Sequence, residues 1–123
     1  MSKARAQGTA WESRLRRIIV DAGFNCWRLP EGGSRDAGDL VFVTDDGSAV
    51  VVEAKRRERL PVHETLTAAK VKSAKGEVPG VVKLTVVVWD RPVRVEGRVR
   101  RVAAGEPVVI VGLTDFLGLL KEG

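Results

Sequence analysis

The sequence predicts an α/β domain, a mixed central sheet with helices on both faces in the order α-β-β-β-α-β, extended by a C-terminal strand and a short helix. Three observations carry this. Asp39 to Thr44 and Ser48 to Lys55 are β-rich runs on either side of Asp45, Asp46 and Gly47, a strong hairpin signal. Both faces of the hairpin are apolar, with Leu40, Phe42, Val50 and Val52 on one and Val41, Val43, Ala49 and Val51 on the other, so it needs cover on both sides. Apolar residues recur at helical spacing before and after the hairpin, which supplies that cover.

Residues 1–8 read as a flexible basic tail and residues 9–123 as one domain. Thr9 followed by Glu12 fits a helix-starting capping box, and Trp11, Leu15, Ile18, Ile19 and Ala22 then repeat at helical spacing until Gly23 ends the helix. Phe24 to Leu29 reads as the first strand, and Pro30 to Gly38, with three glycines, as a loop. After the hairpin, Val62 to Lys75 is a second helix with Val62, Leu66, Ala69 and Ser73 inward and Lys70, Lys72 and Lys75 outward. Val81 to Trp89 is a long apolar strand, and Val93 to Ala103 alternates basic residues with valines around Gly97, as an exposed hairpin would. Pro107 to Val111 is a last strand, and Thr114 is a candidate N-cap for a terminal helix bearing Phe116, Leu117, Leu119 and Leu120.

Composition narrows the function classes. A chain of 123 residues, 44% hydrophobic and 30% charged, fits one globular domain. No apolar run approaches the ~18 residues of a membrane span, and the N-terminus lacks an apolar signal core, so a cytoplasmic location without membrane partners is expected. Cys26 is the only cysteine, which excludes an intrachain disulfide and a multi-cysteine zinc site. The net charge of +5 favours an anionic partner.

The chemistry concentrates in the hairpin. Asp39 enters the first of its strands, and Glu53 and Lys55 share a face near the end of the second. A three-residue Asp45–Gly47 loop places Thr44 across from Ser48 and therefore Asp39 across from Glu53; a two-residue Asp46–Gly47 loop would pair Asp39 with Ala54 and turn the carboxylates to opposite faces. In the first register the two carboxylates repel and lose hydration unless a cation neutralises them. Mg²⁺ suits them, because it takes oxygen ligands while keeping waters, and Mn²⁺ is expected to substitute. Lys55 would orient a water or offset charge on phosphorus.

With Gly38-Asp39-Leu40-Val41, Glu53-Ala54-Lys55, Glu12 on the first helix and this element order, the chain resembles the PD-(D/E)XK nuclease superfamily, and within it the archaeal-type and phage Holliday junction resolvases. The resemblance spans about Thr9 to Trp89, with Gly38 standing where the motif has proline. It implies a restriction-endonuclease-like core with catalytic Asp39, Glu53, Lys55 and Glu12. Glu12 would assist Asp39 and Glu53 in holding metal, although it equally fits the capping box. The resemblance also implies that Ser34 and Arg35 belong to a mobile loop near DNA, and that the protein is a homodimer; the apolar second-helix and C-terminal region, including Trp89 and Phe116, is the expected interface material.

Arg56 and Arg57 follow the motif directly, and Lys70, Lys72 and Lys75 add a second basic stripe; all five are candidate phosphate contacts. The expected activity is metal-dependent hydrolysis of DNA phosphodiesters at branched DNA, four-way junctions foremost. Another structure-specific or nicking nuclease, and a catalytically silent DNA-binding domain, remain as alternatives.

Overall fold

The valine-rich runs do form one sheet in the computed structural model, which describes residues 3–95, 97–101 and 106–122. Chain order is α1 (Lys3–Asp21), β1 (Asn25–Arg28), β2 (Leu40–Val43), β3 (Ala49–Arg56), α2 (Val62–Lys75), β4 (Val82–Asp90), β5 (Pro92–Val95), β6 (Arg98–Arg101), β7 (Val108–Ile110) and α3 (Leu113–Glu122). The five-stranded sheet runs β1-β2-β3-β4-β7 and is mixed: β3 and β4 are parallel, joined through α2 as parallel neighbours require, and the other pairs are antiparallel. β5 and β6 form a separate hairpin turning at Gly97, as the alternation of basic residues and valines predicts.

The two apolar faces of the hairpin each acquire a core. Trp11 and Leu15 of α1 pack on Cys26, Leu40, Val50, Val52, Val86 and Val88, and full burial of such side chains contributes about 1.5–3 kcal/mol each. On the opposite face Val41, Ala49 and Val51 pack with Leu29 and Ala37. There α2 lies against β4, fastened by a buried hydrogen bond of 2.7 Å between the Ser73 and Thr85 hydroxyls. The hairpin turn is the three-residue one. The Thr44 N–H donates to the Ser48 carbonyl at 2.9 Å, and Leu40 to Val43 pair with Val52 to Ala49.

Several expectations need correction. α1 begins at Lys3, so residues 3–8 are helical rather than a tail and Thr9 lies inside the helix, where it cannot serve as a cap. α3 begins at Leu113, with the Phe116 N–H donating to the Gly112 carbonyl, so Thr114 is within its first turn. Val62 is exposed, while Ala69 and Ser73 form the buried face of α2. Val102 and Ala103, expected at the end of the basic hairpin, lie outside the described residues. Among the described residues no helix is long and apolar enough to cross a membrane.

Candidate active site

Just beyond the last paired residues, Leu40 and Val52, Asp39 lies close enough to Glu53 for the two carboxylates to repel, and the Lys72 ammonium from α2 acts on both. The hairpin's backbone secures the placement. The Asp39 N–H donates to the Val52 carbonyl at 3.0 Å, and Asp39 Oδ2 accepts from the Ala54 N–H at 2.8 Å. Gly38, immediately before, adopts φ +154°, and a Cβ there would lie 2.7 Å from Val51 Cγ1. A proline, whose φ is held near −65°, does not fit this backbone, which accounts for glycine at that position.

Glu53 is 7% exposed. Its two oxygens have different surroundings. Oε1 lies 3.4 Å from Lys72 Nζ and 3.7 Å from Lys55 Nζ, whereas Oε2 is buried without a hydrogen-bond partner. An unsatisfied buried carboxylate oxygen is costly. Burial first, and then repulsion from Glu53, raise the Asp39 carboxyl to about 7, against the lowering effect of the Ala54 N–H. Glu12 joins this group from α1. Burial raises its carboxyl above the ordinary range, the Arg28 guanidinium 3.6 Å away opposes the rise, and a hydrogen bond with Asp39 lowers it further. With the capping box excluded by the position of Thr9, the burial of Glu12 beside Asp39 is the structural fact about it.

Lys72 was expected outside and instead faces inward. Its ammonium also lies 3.5 Å from Asp36 Oδ1. Burial alone would lower its pKa, but attraction to Glu53, Asp36 and Asp39 outweighs that and raises it. Asp36 in turn accepts hydrogen bonds from the Gly32 and Gly38 N–H groups, so one ammonium joins α2, β3 and the glycine loop. The signal for Lys72 was present in the sequence: it follows Ala69 by three residues and precedes Ser73, both on the inward stripe. Asp36 carried no such signal, because its role depends on how the loop folds back.

An open pocket of about 340 Å³ beside these groups is lined by Glu53, Lys55, Lys72 and Arg57, with Glu64 and Thr65 from the start of α2. Of the other expected contacts, Arg56 turns to the opposite face, 3.5 Å from the buried Asp90 carboxylate, which Arg14 also meets at 2.7 Å. Lys70 pairs with Asp115 at 3.0 Å, and Lys75 is exposed at the end of α2. Ser34 and Arg35 form a 3₁₀ turn, with Arg35 paired to Glu77 at 2.9 Å. The loop expected to be mobile is docked: the Glu77 N–H donates to the Arg35 carbonyl, and a Cβ at Gly76 would lie 2.5 Å from Ala37 Cα. Among the described residues no group of three or more His, Cys, Asp or Glu is arranged as a ready-made metal site. No protein-family model and no curated protein matches the chain.

Proposed function

We propose that this chain is a metal-dependent endonuclease of the PD-(D/E)XK type that hydrolyses DNA phosphodiesters at branched DNA, with four-way junctions as the leading substrate. The observation that carries the reading is the proximity of Glu53 to both Asp39 and Lys55, with one buried oxygen of Glu53 left without a partner. The donors fit a hard divalent cation, because Mg²⁺ is commonly held by only one or two carboxylates and keeps several of its waters. Asp39 and Glu53 would hold Mg²⁺ or Mn²⁺, with Glu12 assisting. When bound, the ion supplies Lewis-acid polarisation of a phosphoryl oxygen and acidifies a nearby water.

The chain's own residues do the rest. The Ala54 N–H and the hairpin backbone orient Asp39, while Lys55, about a quarter exposed at the pocket wall, would offset charge that develops on phosphorus. Arg57, which lines the same pocket, would meet a backbone phosphate.

The test is to incubate labelled four-way junction, flap, nicked and linear duplex DNA with the protein in Mg²⁺ or EDTA. Cleavage should require the metal and prefer branched DNA, and Asp39→Asn or Glu53→Gln should reduce it at least about 100-fold while DNA affinity holds or rises. Parental cleavage rates from folded Asp39→Asn would remove the site. Metal-independent binding without cleavage would favour the silent DNA-binding domain.

A further inference from the structure

The Lys72 ammonium reaches into the acidic group from α2, where a divalent cation at Glu53 would have to compete with it. It lies 3.4 Å from Glu53 Oε1 and 3.5 Å from Asp36 Oδ1, so it neutralises part of the charge that a metal would otherwise meet. Glu53 is nine-tenths buried with Oε2 unpartnered, so the ammonium satisfies only one of its two oxygens. Lysine provides only one charge, and its stem reaches in from α2 along the open pocket, with about a third of the side chain exposed. A divalent ion seated on the same carboxylate would repel the ammonium at close range, and repulsion between like charges is strong where water is partly excluded. The flexible four-carbon stem lets the ammonium leave without moving the helix. The same pocket is lined by Lys55 and Arg57, the groups proposed to meet phosphate.

We propose that Lys72 is an exchangeable counter-cation of the active site. It holds Glu53 and the glycine loop in the metal-free protein, is displaced when the divalent cation binds, and then adds its charge to the phosphate-binding wall of the pocket. The inference rests on the nuclease reading for the presence of a metal at Glu53. It requires nothing of the DNA structure that is cut.

The consequence is specific. Because metal and ammonium compete for Glu53, Lys72→Met should bind Mn²⁺ at least about tenfold more tightly than the parent by calorimetry. Lys70→Met, which removes an ammonium from the same helix where Asp115 holds it, should change the affinity less than about twofold. By linkage, the metal-free variant should be less stable than the parent in EDTA, and saturating Mn²⁺ should narrow the gap. A second readout needs no variant at Lys72. In the parent protein, acetylation of Lys72 by an amine-reactive reagent, followed by peptide mass, should be several-fold faster in Mn²⁺ than in EDTA.

Unchanged or weaker Mn²⁺ binding by Lys72→Met, or Lys72 acetylation that does not accelerate with Mn²⁺, overturns the exchange. If neither the parent nor the variant binds Mn²⁺, both the exchange and the metal-dependent reading fall. If the exchange is observed and the parent cuts no DNA, the exchange stands and only the nuclease reading falls.

Discussion

At the scale of single residues, the acidic group should leave a signature in stability as well as in cleavage. Asp39 is raised to about 7 in the folded protein, mainly by burial and then by Glu53, whereas an unfolded aspartate titrates near ~3.9. Between those values the folded state keeps a proton that the unfolded chain has released. The stability that this group contributes is therefore complete below about pH 4 and is lost as pH rises toward 7. Asp39→Asn removes the loss. In EDTA its advantage over the parent, measured by urea unfolding, should grow by about 1–3 kcal/mol between pH 4.5 and 7.5, and a constant difference would contradict the buried-carboxyl account. Arg56 and Arg57 divide similarly. Arg56 compensates buried Asp90, so Arg56→Gln should cost roughly 1–3 kcal/mol of stability and leave the salt dependence of DNA binding unchanged. Arg57→Gln should lower the slope of log affinity against log salt by about 0.9 with little effect on stability.

At the scale of elements, the legible parts were those whose period and turn chemistry are local. The Asp45–Gly47 turn determined the register of β2 and β3 as far as Leu40 and Val52, which brings Asp39 into the neighbourhood of Glu53. The bounds of α2 and the division of hairpin residues between two cores followed from the alternation of apolar side chains. What was not legible depended on contacts between distant segments. Nothing near Arg56 in the sequence announces Asp90 on β4, and nothing near Lys70 announces Asp115 on α3. Thr9 and Thr114 resemble caps locally, yet both helices extend further toward the N-terminus, because a cap preference of about 1 kcal/mol is easily overridden by other helix-forming contributions. Composition marked the glycine segment only as a loop, whereas its fit against the end of α2 depends on the small size of Gly76 beside Ala37. Gly38 gives this an energetic test. Gly38→Ala introduces a Cβ 2.7 Å from Val51 Cγ1 at a backbone angle that L residues rarely adopt, so it should cost about 1–3 kcal/mol and disturb Asp39 directly. A Tm equal to the parent's would show that this strand entry relaxes freely.

At the scale of the whole molecule, apolar surface is distributed unevenly. The cores lie on the two faces of the sheet, yet Leu113, Phe116, Leu117 and Leu120 of α3 are all exposed, and no residue of that helix is buried. Val108 and Val109 of β7, at the edge of the sheet, are exposed as well. A helix whose apolar side chains remain in water gains little from the monomer's own core, and such a surface commonly marks an interface. Trp89 contributes less to such an interface than its size suggests, because it is half-buried and its indole N–H donates to the Arg57 carbonyl at 2.7 Å. A homodimer formed through α3 and β7 would cover this surface, and a two-fold arrangement would give each symmetric strand of a junction its own active site. The expected outcome is a mass of two chains at micromolar concentration by light scattering. Phe116→Glu with Leu120→Glu should shift it to one chain, with the Mn²⁺ affinity of each protomer preserved. A parent protein that remains at the mass of one chain, with and without junction DNA, would show that the α3 surface is not an interface between copies of this chain.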